Sequence, residues 1–452
     1  MSGQRPPPVN DTIFALATPA GRSALAVIRV SGPQAVPALN AIAGRTPVPR
    51  ETALRILRHP STKQPIDQAL VIYFKAPATE TGEDIAEFQT HGSRAVIVAM
   101  YEALGAIPGC RIAEPGEFAR RAFHNGKMDL TAIEGLADLI DAETEGQRAQ
   151  ALTQASGALD KLYNGWRLEM IQAQALVEAA IDFADEGDVA ANAVAQARAI
   201  ATGLAANIDA HLANAHRGEI LRSGFKVVLA GPPNAGKSSL LNALAKRDAA
   251  IVSEEPGTTR DIIEVRLDLD GIPVIVSDTA GIRQTEGAIE REGIRRTIER
   301  ARAADIVLWL NDPTMRPPTA LPEWATGSQA LETVVIDTKQ DLLQPTPSNP
   351  ARLAISVVSG QGIDELIGLI VARAKSALHR DAGTTVPTQA RHREHLERCR
   401  RHLHTFETSP QADLELRAED LRLSATELGR LTGRIEPEEV LGAIFGRFCI
   451  GK

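Results

Sequence analysis

The sequence predicts a multidomain chain: an N-terminal α+β domain, an α-helical bundle, and a Ras-like α/β P-loop domain inserted into that bundle. Three observations lead there. With 452 residues the chain exceeds what one core ordinarily serves, so about three domains are expected. A complete phosphate-binding loop, Gly231-Pro-Pro-Asn-Ala-Gly-Lys-Ser238, stands between the β-branched run Phe225 to Ala230 and the helix-like Ser239-Leu-Leu-Asn-Ala-Leu. Helical sequence lies on either side of the domain that this loop opens, rich in alanine on the side that precedes it.

In chain order, residues 1–125 form the first domain, because from Ile13 to about Phe123 short strands alternate with turns, as in Ala24 to Arg29 and Ala69 to Phe74, before a helix at Arg94 to Gly105. Residues 126–217 make the first helical part, where alanine from Thr131 to Ala180 and from Ala190 to Ala215 suits helices packed closely together. Residues 218–380 are the P-loop domain. Residues 381–452 resume helices after Pro387, at Gln389 to Phe406 and Leu414 to Thr432, and close the bundle from the far side of the insertion. Such insertions succeed because domain termini often lie close together, and a change in the inserted domain can then lever two helices at once.

The phosphate loop works through successive backbone N–H groups that form a nest for phosphate oxygens, with Asn234, Ala235, Gly236, Lys237, Ser238 and Ser239 around the anion. Lys237 reaches the β- and γ-phosphates, Ser238 ligates Mg²⁺, and the following helix aims its positive end at the same charge. The other parts of a guanine-nucleotide site follow in order. Gly257-Thr258-Thr259-Arg260-Asp261 is placed to offer the Thr259 hydroxyl to the metal. The strand Ile272 to Ser277 ends in Asp278-Thr279-Ala280-Gly281, with the carboxylate behind the metal and a γ-phosphate-sensing amide at Gly281. Two more strands, Ile306 to Leu310 and Thr333 to Ile336, lead to Thr338-Lys339-Gln340-Asp341, where Asp341 can accept two guanine N–H bonds that adenine cannot supply. Thr338 stands where asparagine is usual, which predicts weaker base affinity, and Lys339 and Asp341 keep the discriminating contacts. Ser356, in Ile355-Ser-Val-Val358, occupies the last guanine loop in degenerate form. ATP in place of GTP is the alternative these last two loops leave open.

Ile282 stands where Ras-like proteins carry the glutamine that orients the attacking water. A substitute is needed. Asn234 together with Ser253-Glu254-Glu255-Pro256-Gly257-Thr258 can hold a monovalent cation beside the phosphates, supplying the charge an arginine would. Glu286, Glu290 and Glu292 are candidate carboxylates for positioning water, although from the residues alone a solvated helix-face carboxylate paired with Arg291 or nearby arginines is the preferred reading of Glu290.

From Asp11-Thr12-Ile13 to Lys452 the chain resembles the MnmE (TrmE) family of tRNA modification GTPases. The most specific marks lie outside the P-loop domain: Ile28-Arg29-Val30-Ser31-Gly32, Thr81-Gly82-Glu83-Asp84, Gln89-Thr90-His91-Gly92, Arg111-Ile112-Ala113-Glu114-Pro115-Gly116-Glu117-Phe118, and the terminal Phe448-Cys449-Ile450-Gly451-Lys452. The resemblance implies a homodimer whose G domains activate each other across K⁺, with Asn234, Ser253, Glu255 and Thr258 at the K⁺ positions, Ser238 and Thr259 on Mg²⁺, Ser253, Thr258 and Thr259 also in the GTP site, and Glu290 as the catalytic glutamate. It further implies that the N-terminal domain binds 5-formyl- or 5,10-methylene-tetrahydrofolate through Arg29, Glu87, Lys127 and Lys452, the cations meeting glutamate carboxylates and Glu87 accepting from the pterin. Taken alone, Arg29 reads as a strand-end surface residue and Lys127 as a loop charge. Cys449 beside that pocket either acts chemically or packs as a small hydrophobe. The implied activity is modification of C5 of the tRNA wobble uridine, to a carboxymethylaminomethyl or aminomethyl group, with an MnmG-like partner that carries FAD.

A net charge of −8 argues against a general nucleic-acid binder, so tRNA contact must use a local patch. Arg391 to His402 is the first candidate and Arg120-Arg121 the second, each equally readable as a solvated helix face. His395, Cys399 and His402 share one helical face, but no fourth ligand for zinc stands near. The three cysteines are odd in number and widely spaced, and the start Met1 to Asn10 is polar and proline-rich, so a reducing cytoplasm is expected and no membrane association. A ribosome-assembly or RNA-associated GTPase should show a basic module, which this acidic chain lacks; a nucleotide-switched scaffold should survive loss of Glu290 unchanged.

Overall fold

The computed structural model describes residues 11–183, 187–251, 264–278, 299, 301–315, 321–322, 332–343, 352–378, 385–409, 413–435, 438–446, 448 and 451. The chain divides into two compact units, Met1–Ala137 with Gln154–Ile171 and Ala425–Lys452, and Asp138–Thr153 with Gln172–Ser424.

The first unit is built on strands β1 (Thr12–Leu16), β2 (Ser23–Ser31), β3 (Thr52–Arg58), β4 (Pro65–Phe74), β5 (Ile85–Gly92) and β6 (Cys110–Ile112), ordered β3-β4-β5-β2-β1-β6. Neighbours run antiparallel except β1 and β6. Helices α1 (Ala35–Ala43) and α2 (Arg94–Gly105) lie along the sheet, and their apolar positions join Phe14, Ile28, Val30, Leu57, Val71 and Phe88 in one core. The period-2 alternation sends Leu54, Ile56 and Leu70 outward, where they are exposed. Ser93 caps α2, accepting from the Val96 N–H at 3.2 Å. Past β6 come α3 (Glu117–His124) and α4 (Leu130–Ile140), and Ala119, Leu130 and Ile133 pack with Leu441, Phe445 and Phe448 from the far end of the chain. The terminal segment thereby reaches β1: a side chain at Gly451 would lie 2.2 Å from the Leu16 carbonyl, so only glycine fits there.

In the second unit the sheet is β7 (Phe225–Ala230), β8 (Glu264–Leu269), β9 (Ile272–Asp278), β10 (Ile306–Asn311), β11 (Thr333–Asp337) and β12 (Leu353–Ala354), ordered β12-β11-β10-β7-β9-β8. All pairings are parallel except β8 with β9. The near-continuous apolar strands Val227, Leu229, Val274, Val276, Leu308 and Leu310 suit a sheet covered on both faces, and they pack with Leu240, Leu241, Leu366 and Ile370 from its helices. This is the doubly wound α/β arrangement expected of a P-loop domain, with β8 as a strand the motifs alone do not announce. Its alternation Val265, Leu267, Leu269 inward explains it.

The helices α5 (Glu145–Ala155), α6 (Ala158–Asp182), α7 (Gly187–Leu212), α8 (Ala215–Ser223), α9 (Lys237–Ala245), α10 (Ile363–Leu378), α11 (Ala390–Thr408), α12 (Leu414–Leu431) and α13 (Glu438–Phe445) complete the described elements. Within the second unit α7 packs along α11, where Leu396, Cys399, Leu403 and Phe406 are fully buried. Arg400 pairs with Asp209 at 2.8 Å across the same seam. Among the described residues no helix is long and apolar enough to cross a membrane.

Candidate functional site

Strand β7 ends at Ala230 and the chain turns into the phosphate loop at once. A Cβ at Gly231 would lie 2.4 Å from the Leu310 carbonyl of the neighbouring strand, and its φ of +144° suits glycine alone, so this position needs a residue without a side chain. Asn234, with φ of 63°, and Gly236, with φ of 97°, hold the left-handed turns that point successive amides inward. Ala235 is buried, while Asn234, Ser238 and Ser239 are exposed to the mouth of the loop. Lys237 is only 7% exposed, and its ammonium donates to the Gly231 and Pro232 carbonyls, each at 2.9 Å. Burial lowers its pKa while the negative Asp278 opposes that shift. A buried cation held by two weak carbonyl acceptors is primed to exchange them for phosphate oxygens.

Asp278 closes β9 and is 2% exposed. Its Oδ2 accepts from the Ser238 hydroxyl at 2.7 Å, so the hydroxyl expected to ligate a metal and this carboxylate face each other. Two hard oxygen donors in register with a phosphate nest are a donor set that fits Mg²⁺.

The residues expected to read a base lie at the ends of β10, β11 and β12. Thr338 is 3% exposed, and its hydroxyl lies 2.9 Å from the Ala235 carbonyl and 3.1 Å from that of Asn311, while its amide donates to the Asn311 carbonyl at 2.8 Å. The residue that replaces the usual asparagine thus ties the loop from Thr338 to Asp341 to the phosphate loop. Asp341 accepts from the Ser356 hydroxyl at 2.6 Å, which orients its carboxylate, and Ser356 is fully buried. Lys339 adopts a left-handed φ of 56° and pairs with Asp312 at 2.6 Å. Asn311 in turn donates to Asp337 at 2.7 Å.

Asn234 to Ser239, Asp278, Thr338, Lys339, Asp341 and Ser356 are therefore gathered at one edge of one sheet, at the carboxyl ends of its strands, where ligands of this architecture sit. Asn311 and Asp312 join them without any motif to announce them. The signal available was a pair of polar side chains ending the apolar strand beside β7. Ser253, Glu255, Thr258, Thr259, Thr279, Ala280, Gly281 and Glu290 lie outside the described residues, as do Cys449 and Lys452.

A second constellation lies in the first unit. Arg29 on β2 and Glu87 on β5 are direct cross-strand partners, joined at 3.0 Å. The guanidinium also donates to Glu80 at 2.7 Å and lies over the Phe118 ring. Two carboxylates thus occupy Arg29, which makes it the group that orients Glu87 rather than a bare cation. Ser31 donates to Glu83 at 2.7 Å and lies 2.7 Å from the Thr81 hydroxyl. Lys127 is exposed, and its stem borders Gly82, while Asn125 donates to the Thr81 carbonyl at 2.7 Å. A fixed acceptor carboxylate at Glu87 and an exposed lysine at Lys127 are groups that suit an aminopterin ring and an anionic tail.

Below that constellation Arg111 donates to Glu117 at 2.5 and 2.8 Å, and Arg121 to Glu117 at 3.1 Å, to Asp11 at 2.9 Å and to Glu83 at 3.2 Å. Arg111 also bonds Asp11. Burial alone would raise the Glu117 pKa, but the donated bonds prevail and hold it at about 2.

A family model described as the MnmE helical domain matches residues 130–449, and one described as the N-terminus of the GTP-binding protein TrmE matches residues 12–127. A protein named tRNA modification GTPase MnmE from Parvibaculum lavamentivorans is 50% identical over 445 residues, covering 98% of this chain and 100% of its own. One of the same name from Methylorubrum populi is 52% identical over 444 residues, covering 98% of each chain. Among solved structures, the G domain of the T. maritima FeoB iron transporter is 24% identical over 33% of this chain and 98% of that one, at a TM-score of 0.25, too low to carry an argument.

Proposed function

The chain belongs to the MnmE (TrmE) family of tRNA modification GTPases, and from that premise we propose a K⁺-activated GTPase cycle that drives chemistry at C5 of the tRNA wobble uridine. The protein is a GTP hydrolase that acts in tRNA modification. The observation that supports the reading is the bond of Ser238 to Asp278 and of Thr338 to the Ala235 carbonyl, which brings the residues proposed for metal, phosphate and base recognition to one edge of the sheet.

In this reading residues 218–380 are the G domain, inserted between helical parts at 126–217 and 381–452, with the folate and dimerisation domain at 1–125. Lys237 moves from the Gly231 and Pro232 carbonyls onto the β- and γ-phosphates. Ser238 and Thr259 hold Mg²⁺, with Asp278 accepting from the serine hydroxyl or from water behind it. Asp341, oriented by Ser356, reads the guanine N–H donors. Asn234, exposed at the loop's mouth on a left-handed backbone, together with Ser253, Glu255 and Thr258 holds K⁺, which supplies positive charge near the developing negative charge. Glu290 positions water. In a homodimer the two G domains meet across this face, so hydrolysis rises with protein concentration.

The N-terminal site takes a tetrahydrofolate: Glu87, steadied by Arg29, accepts from the pterin, while Lys127 and Lys452 meet the glutamate tail. When bound, the folate supplies a one-carbon unit. An MnmG-like flavoprotein carrying FAD is the partner for redox chemistry, with tRNA as the shared substrate. The test is GTP hydrolysis in K⁺ and in Na⁺ at matched ionic strength over a range of protein concentrations. Strong stimulation by K⁺ that steepens with concentration is expected; equal rates in both salts would sink the cation-bridged mechanism.

A further inference from the structure

Asn311 ends β10 and Asp312 follows it; that strand runs between β7, which delivers the phosphate loop, and β11, which delivers the base-reading loop. Asp312 is 5% exposed, and both carboxylate oxygens are engaged. Oδ1 accepts from the Thr314 amide at 2.9 Å and from its hydroxyl at 2.6 Å. Oδ2 accepts from the Lys339 ammonium at 2.6 Å. A turn that merely needed an acidic residue to close on Thr314 would use one oxygen and leave the other to water. Here the second oxygen reaches across to the next strand's loop.

Lys339 needs such a hold. Its left-handed φ of 56° is costly for a residue with a side chain, and a lysine stem has much rotamer freedom to lose. Burial alone would raise the Asp312 pKa, yet the Lys339 and Thr314 bonds lower it, so the carboxylate is present as the anion that a lysine anchor requires. We infer that Asp312 is a positioning residue of the base site: by holding the Lys339 ammonium it fixes the lysine's aliphatic stem as a wall against the guanine ring. A lysine stem covers apolar surface well while its charged head is held elsewhere. Asp312 touches no nucleotide atom in this scheme and acts only through Lys339. The inference rests on the guanine reading of Thr338 to Asp341.

The experiment is a double-mutant cycle on the full chain, with dissociation constants for a fluorescent GDP derivative measured for the wild type, Asp312→Asn, Lys339→Met and the pair. Asp312→Asn should raise the constant roughly tenfold, the scale of one charge-assisted hydrogen bond. In the Lys339→Met background the same substitution should change it by less than about twofold. Equal effects in both backgrounds, or none in the wild type, would overturn the inference, because a general loosening of the loop does not depend on Lys339. If Asp312→Asn does not fold, Thr314→Val removes one of the donors that aim the carboxylate from an exposed position and should act in the same direction, again only when Lys339 is present. A wild-type chain that fails to bind GDP would remove the guanine reading itself, whereas binding with an additive cycle removes only the role of Asp312.

Discussion

Replacing Thr338 by valine tests whether this position braces two loops. The substitution keeps the branched shape at a site that is 3% exposed and removes only the hydroxyl. That hydroxyl has one hydrogen, so the contacts to the Ala235 carbonyl at 2.9 Å and the Asn311 carbonyl at 3.1 Å count as one shared bond. Asn311 keeps the Thr338 amide as a donor at 2.8 Å, and the loss therefore falls on Ala235. Removing one neutral hydrogen bond from a buried acceptor costs about 1–2 kcal/mol. In the proposed reading Ala235 belongs to the loop that grips phosphate and Thr338 to the loop that grips the base, so the loss weakens their joint hold on one ligand. The expected result is a dissociation constant for GDP raised by roughly five- to thirtyfold in Thr338→Val, with Thr338→Ser close to the wild type because it keeps the donor. Titration of a fluorescent GDP derivative at fixed Mg²⁺ reads this directly. An unchanged constant in Thr338→Val, or an equal rise in Thr338→Ser, would refute the brace.

Glu117 contributes to acid stability with a definite sign. Its folded pKa of about 2 lies below the ordinary value of 4.5, so its contribution is complete above about 4.5 and is lost as pH falls toward 2. Glu117→Gln should lower the denaturation midpoint of the first unit by the equivalent of about 3–5 kcal/mol at neutral pH and flatten the loss of stability between pH 4.5 and 2; parallel acid slopes in the two proteins would show that the network is not what titrates. At the other constellation, Glu87→Gln should weaken 5-formyltetrahydrofolate binding by about tenfold or more in calorimetric titration. An unaltered affinity would remove Glu87 from that site.

Much of the second unit was legible because phosphate-loop chemistry is local. Gly231 to Ser238 are neighbours in the chain, and the strands before each later motif are short apolar runs ending in a polar residue, which is what a sheet covered on both faces requires. The cross-braces were not legible. Thr338 on Ala235 spans 103 positions, Ser238 on Asp278 spans 40, and Lys339 on Asp312 spans 27, and no periodicity reports such pairings. In the first unit the resemblance named Arg29 and Glu87 separately, and only the β2–β5 register made them partners and added Glu80.

Thr338 illustrates the division. Residue type alone marked it as a departure from asparagine and predicted weaker base binding; its neighbours in space make it a hydroxyl link between two loops. The order of motifs determined by itself that the chain carries a nucleotide-triphosphate site with guanine as the expected base, because each motif's chemistry is contained in a few consecutive residues. Which carboxylate orients which cation, and how the terminal Gly451 comes to lie against Leu16, were decided by tertiary packing, because a hydrogen bond depends on distance in space and strand register and helix docking set that distance.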